Sequence, residues 1–144
     1  MIRAACHCGA VRFEISEPPD WLLDCNCTIC RRYGAMWSYY HAGPDQAKLL
    51  KRPDPAATEA YVWGDRRLGF HRCKSCGCVT HVEAIEGKVI FIVNARMMAG
   101  LDPAKVRIIR MDNSHSGFFW TRPDDPVLAS RHPVMPAPTF EDWR

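Results

Sequence analysis

All eight cysteines of this 144-residue chain fall into three packets: Cys6-His7-Cys8-Gly9, Cys25-Asn26-Cys27-Thr28-Ile29-Cys30 and Cys73-Lys74-Ser75-Cys76-Gly77-Cys78. Residues two apart on a strand point to one face, so a C-x-C pair can present two sulfurs to one ion. A C-x-x-C-G knuckle does the same by reversing the backbone, with glycine allowing the tight turn. Two such pairs supply four soft thiolates, which suit tetrahedral Zn²⁺. Cys6, Cys8, Cys73 and Cys76 therefore read as a closed structural zinc site tying the start of the chain to its middle; redox pairs are the competing reading.

The middle packet offers three sulfurs, at i, i+2 and i+5. Three protein ligands leave one position for water or substrate, the arrangement of a catalytic zinc. A divalent ion held by three thiolates is electron-rich. It acidifies water less well than a zinc held by neutral histidines, yet it still stabilises an incoming thiolate, so thiol chemistry fits better than hydrolysis. Cys25, Cys27 and Cys30 are thus the candidate catalytic centre, with a metal-free reactive cluster and ordinary thiols as alternatives. Cys78 could close that second site, act as a redox partner or pack as a small buried hydrophobe; the last is preferred.

Around these packets lie residues with weaker signals. Arg31 and Arg32 directly follow Cys30, where they could offset negative charge or grip a substrate carboxylate through paired hydrogen bonds; solvated surface arginines are the alternative. His7 points away from its flanking cysteines if the segment is extended. His71 and His81 read as satisfied core or surface histidines rather than catalytic ones. Trp37, Tyr39 and Tyr40 read as sheet packing. Asn94 and Arg96, just past an apolar strand, are left undecided.

The elements that must position these groups are short strands broken by turns. Val11, Phe13 and Ile15 alternate with Arg12 and Glu14 as in a half-buried strand ended by Pro18-Pro19. Trp21-Leu22-Leu23 is a short apolar run. Thr28 to Tyr33 predicts one helical turn, with Thr28 as cap and Gly34 as stop. Met36 to His41 is strand-like before a Gly43-Pro44-Asp45 turn, and Arg52-Pro53-Asp54-Pro55 marks a loop. Thr58 to Trp63 and Arg67 to Cys73 predict one hairpin, and Val79 to Ala84 and Val89 to Val93, joined at Glu86-Gly87, a second. Val106 to Met111 reads as a further strand. The pattern predicts a domain over 1–120 and a proline-rich extended arm over 121–144, whose Phe140 and Trp143 could dock on the body or on another subunit.

Composition narrows the partners. The cysteine density is below that of a disulfide scaffold, no run of about 18 apolar residues occurs, and residues 1–8 lack a secretory apolar stretch, so a cytoplasmic protein without membrane spans is expected. The formal net charge of +3 is cancelled when seven cysteines are counted as thiolates around two divalent ions. Nucleic-acid binding is therefore not expected. A homodimer is left open.

The order C-x-C-G-A, then C-x-C-x-x-C-R-R, then C-x-x-C-G resembles the glutathione-dependent formaldehyde-activating enzyme family, also called the centromere protein V/GFA domain. Seven cysteines match in type and spacing, and the resemblance runs from Cys6 to about Met111. It implies a mainly β, Mss4-like fold of several coiled antiparallel sheets with a zinc-binding core. It also implies structural zinc at Cys6, Cys8, Cys73 and Cys76 and a second, catalytic-type zinc at Cys25, Cys27 and Cys30. The activity implied is addition of glutathione to formaldehyde, a carbon–sulfur lyase reaction in the cleavage direction, with a small-molecule thiol as partner. The alternative is a non-catalytic, zinc-stabilised binding module of the kind found among Mss4-like relatives.

Overall fold

The computed structural model describes residues 1–41, 49–62, 66–85, 90–112 and 119–121. The protein is mainly β, with two sheets, one short α-helix and three 3-10 turns among these residues. Strands β1 (Ile2–Ala5), β2 (Arg12–Ile15) and β5 (Leu49–Lys51) form the small sheet in the order β1-β2-β5. The large sheet contains β3 (Trp21–Cys25), β4 (Trp37–His41), β6 (Thr58–Val62), β7 (Leu68–Cys73), β8 (Val79–Ala84), β9 (Ile90–Asn94), β10 (Arg107–Asp112) and β11 (Phe119–Thr121). Its order is β11-β10-β3-β4-β9-β8-β7-β6.

Pairing is antiparallel with one departure from the expected antiparallel pattern: β10 lies parallel to β3, setting Ile108 beside Leu22 and Met111 beside Cys25. A parallel neighbour needs a long crossover, and here more than eighty residues of chain separate the two strands, which no local signal announces. Strands β1 and β5 were also not anticipated. Ile2-Arg3-Ala4-Ala5 and Leu49-Leu50-Lys51 are too short to show a period, and both are held by pairing to β2.

The pleat of the large sheet sorts its side chains into two cores. On β3, Leu22 joins the core that contains Phe13, Val11 and Cys73, whereas Leu23 and Cys25 join the core of Cys27, Cys30 and Phe70. On β9, Phe91 and Val93 take the first side and Ile92 the second; on β4, Tyr40 and Trp37 divide in the same way. Alternation along a strand means opposite faces. The two cysteine sets therefore belong to opposite faces of one sheet, which separates their chemistry.

The single α-helical turn, α1 (Cys30–Tyr33), ends at Gly34, whose left-handed φ of 58° suits a residue without Cβ. The expected Thr28 cap is corrected: Ile29 occupies the N-cap position and makes no side-chain cap bond. Thr28 instead offers its backbone oxygen to Arg32 Nη1 at 2.7 Å. Asn94 Nδ2 donates to the Val79 oxygen at 2.9 Å while its Oδ1 accepts from the Arg96 N–H at 3.2 Å, so Asn94 serves as a structural cap. The predicted turns at 43–45 and 86–87, Trp63 and the arm beyond Thr121 lie outside the described residues.

Candidate metal centres

The first cysteine set comes together from two places. The Cys6–Cys8 loop leaves β1, and Cys73 ends β7 at the knuckle that carries Cys76. The four Sγ atoms all lie within 4.8 Å of one another, with Cys6 to Cys8 at 3.6 Å and Cys8 to Cys73 at 3.7 Å. Zinc–sulfur bonds of about 2.3 Å in a tetrahedron put the sulfurs about 3.8 Å apart, so the spacing fits such an ion. The knuckle is shaped by Gly77, at φ 74°, whose N–H donates to the Cys73 oxygen at 2.9 Å. Backbone N–H groups also reach the sulfurs. Val11 donates to Cys6 Sγ at 3.3 Å, and bonds from Cys78 and then Cys8 draw the Cys76 thiol down to about 5.

A groove of about 530 Å³ runs beside this cluster, and Arg3, Arg12 and Lys51 supply its cationic lining. Four thiolates on one divalent ion carry net negative charge, which cations bordering the cluster would offset, although Glu14 shares the lining with them. Cys8 and His7 are exposed on this side, whereas Cys6 and Cys73 are buried. Cys78 packs half-buried against the same core and belongs to neither sulfur set among the described residues.

The second set is assembled by the end of β3 and the start of α1. Cys25, Cys27 and Cys30 are all buried, and their sulfurs lie within 4.8 Å of one another. Among the described residues no fourth Cys, His, Asp or Glu ligand atom completes the group. The loop is tied down by Asn26 N donating to the Met111 oxygen at 3.1 Å and by Cys30 N pointing at Cys27 Sγ at 3.5 Å. Hydrogen bonds from the Cys25 thiol, and then from Cys30, pull Cys27 down to about 2. The same bond pushes Cys25 up to about 12, and Cys30 is likewise raised by Cys25 and Cys27. Three buried sulfurs this close together form a soft donor set that fits a thiophilic ion.

Two aromatic residues expected only to pack sit against this centre. Trp37, 3% exposed, donates its indole Nε1 hydrogen to Cys30 Sγ at 3.2 Å. Tyr39, stacked on Trp21 with ring centres 5.6 Å apart, has its hydroxyl pushed above the usual range by burial and then by the charge of Cys25, Cys30 and Cys27. Their position two apart on β4, on the face that Cys25 shares, was the available signal. Arg31 is half-buried and Arg32 exposed beside Cys30, and the Arg32 bond to Thr28 shows that this arginine braces the turn.

No helix among the described residues is long and apolar enough to cross a membrane. Residues 1–109 match the family described as glutathione-dependent formaldehyde-activating enzyme. A crystal structure of a Rhodobacter sphaeroides protein, a structural genomics target, is similar with a TM-score of 0.58 and 26% sequence identity over 74% of this chain and 98% of that one.

Proposed function

The chain belongs to the glutathione-dependent formaldehyde-activating enzyme family, and we propose that it is a zinc-dependent carbon–sulfur lyase-type enzyme acting on a glutathione-like thiol and a small aldehyde such as formaldehyde. Membership supports a glutathione- and formaldehyde-related role. The observation that carries the finer reading is the convergence of Cys25, Cys27 and Cys30 without a fourth ligand among the described residues. In this reading Cys6, Cys8, Cys73 and Cys76 hold a structural ion, and the three-sulfur set holds a second one.

Zinc bound by three sulfurs supplies an electrophilic position that favours the thiolate form of an added thiol. The protein's own groups do the rest. Burial of all three cysteines strengthens the local electrostatics. In this reading Arg31, which adjoins Cys30 in sequence, holds the thiol's carboxylate, while Arg32 keeps the turn closed. Tyr39 remains protonated beside the sulfurs and adds no further negative charge. Holding thiol and aldehyde together replaces a bimolecular encounter with an aligned one. The thiol sulfur bonds to the aldehyde carbon as the carbon–oxygen π bond opens, and the thiol's proton ends on the new hydroxyl. The reverse step breaks the carbon–sulfur bond, and neither direction needs an electron carrier.

Exchange of isotopically labelled formaldehyde with S-hydroxymethylglutathione, followed by magnetisation-transfer NMR, tests the activity. The zinc-loaded protein should accelerate exchange, and Cys27→Ser should return it to the uncatalysed rate. No acceleration with two zinc ions bound would overturn the enzyme reading in favour of a binding module.

A further inference from the structure

We propose that Trp37 is a positioning residue of the three-sulfur centre: its indole N–H fixes the Cys30 sulfur as an acceptor, orients it and draws charge from it. The inference rests on the reading of Cys25, Cys27 and Cys30 as ligands of one ion.

The three sulfurs are served by different donors. The backbone N–H of Cys27 points at Cys25, and those of Ile29 and Cys30 point at Cys27. Those donors belong to the loop itself and are present whenever it folds. Cys30 instead receives the side chain of a residue on another strand, Trp37 Nε1 at 3.2 Å. Indole nitrogen can only donate, so the Cys30 sulfur must accept on that side.

Trp37 is held where it cannot easily turn away. It is 3% exposed, is paired with Leu23 on β3 and Asn94 on β9, and meets Phe70 edge-on with ring centres 6.1 Å apart. A fully buried indole N–H ordinarily finds a partner, and here that partner is a sulfur of the centre. Groups that hydrogen-bond a ligand orient it and tune the electron density reaching the metal.

Two effects follow. Charge drawn from Cys30 lets the centre accept a further anionic sulfur more readily. It also makes the Cys30 sulfur a poorer nucleophile, which protects a ligand from the electrophilic aldehyde that the site is proposed to handle.

The test uses the full chain loaded with cobalt(II), whose sulfur-to-metal charge-transfer bands report ligand electron density. Trp37→Phe removes the donor but also shrinks the ring. Benzothienylalanine, placed site-specifically at position 37, keeps the indole's shape without the N–H. The difference between one and two equivalents of cobalt isolates the three-sulfur centre. In both variants its band should move to lower energy while that of the four-sulfur site stays fixed. Alkylation of Cys30 by iodoacetamide, mapped by peptide mass, should become several-fold faster with Cys25 and Cys27 unchanged. Two bound cobalt ions with an unmoved band and the parent alkylation pattern would overturn the role of Trp37 alone. Uptake of a single cobalt by the parent protein would overturn the metal reading and this inference with it.

Discussion

The imidazole rings of His71 and His81 stack 4.5 Å apart at an interplanar angle of 13°. His81 is buried between this ring and Phe91, whose centre is 4.9 Å away. Its two nitrogens meet Thr80 Oγ1 at 2.9 Å and Glu83 Oε1 at 3.5 Å. Glu83 in turn pairs with Arg52 at 3.6 Å, and His71 Nδ1 faces Thr58 Oγ1 at 3.3 Å.

Acid should therefore destabilise this stack before it touches the rest of the sheet. Burial, and then the neighbouring His81, lower the His71 pKa, so the folded state binds protons less readily than the unfolded chain. That contribution to stability is present above the unfolded value of about 6.5 and is lost as pH falls through the lowered folded value. The Glu83 carboxyl, held down first by its bond to His81, has the same sign at lower pH. Calorimetry from about pH 7 to 5, with metal content monitored, should show a falling Tm. His71→Gln should flatten the upper part of that fall; a slope parallel to the parent would contradict the argument.

Cys73→Ser or Cys76→Ser should yield unfolded or aggregated protein. Structural zinc in small domains contributes about 10–16 kcal/mol of binding energy that is also folding energy, against a typical total stability of about 5–15 kcal/mol. Circular dichroism and metal analysis check this. A soluble, cooperatively melting variant with unchanged zinc would show that the four-sulfur set is not the staple.

Cys27→Ser should behave differently because its cluster lies on the other face of the sheet. The expected cost is about 1–3 kcal/mol, from a buried hydroxyl left without the sulfur's partners. Metal content should fall from two ions to one with the fold retained. Loss of both ions together would mean that the two sets are not independent.

Arg32→Ala should lower stability by about 0.5–1.5 kcal/mol through loss of its bond to the Thr28 oxygen. Arg31→Ala should act on ligand instead, weakening thiol binding by about 1.5–3 kcal/mol if it meets a carboxylate. Urea melts and thiol titrations on both variants separate the two roles. Equal thiol affinity in Arg31→Ala and the parent would remove Arg31 from the site.

Legibility in the sequence followed the range of the interaction. Cysteine spacing marks both sulfur sets because the chemistry needs residue types at fixed local offsets. The alternation of Val11, Phe13 and Ile15 marks β2 because one face is buried. By contrast, Leu22 and Leu23 read only as an apolar run, since both are buried, each on a different face. The parallel contact of β3 with β10 depends on distant chain. The bond from Trp37 to Cys30 is legible only once β4 is known to lie beside α1. Thr28 looked like a cap by residue type, yet the turn begins two residues later and takes its closing contact from Arg32.

The central claim is that the three-sulfur centre leaves a place that a thiol sulfur can fill, and zinc X-ray absorption on the two-zinc protein tests it most directly. Seven protein sulfurs shared by two ions leave the average sulfur number per zinc below four. Added glutathione should raise it to four, with the gain absent in Cys27→Ser. An average unchanged by saturating glutathione, with both zinc ions present throughout, would contradict the account.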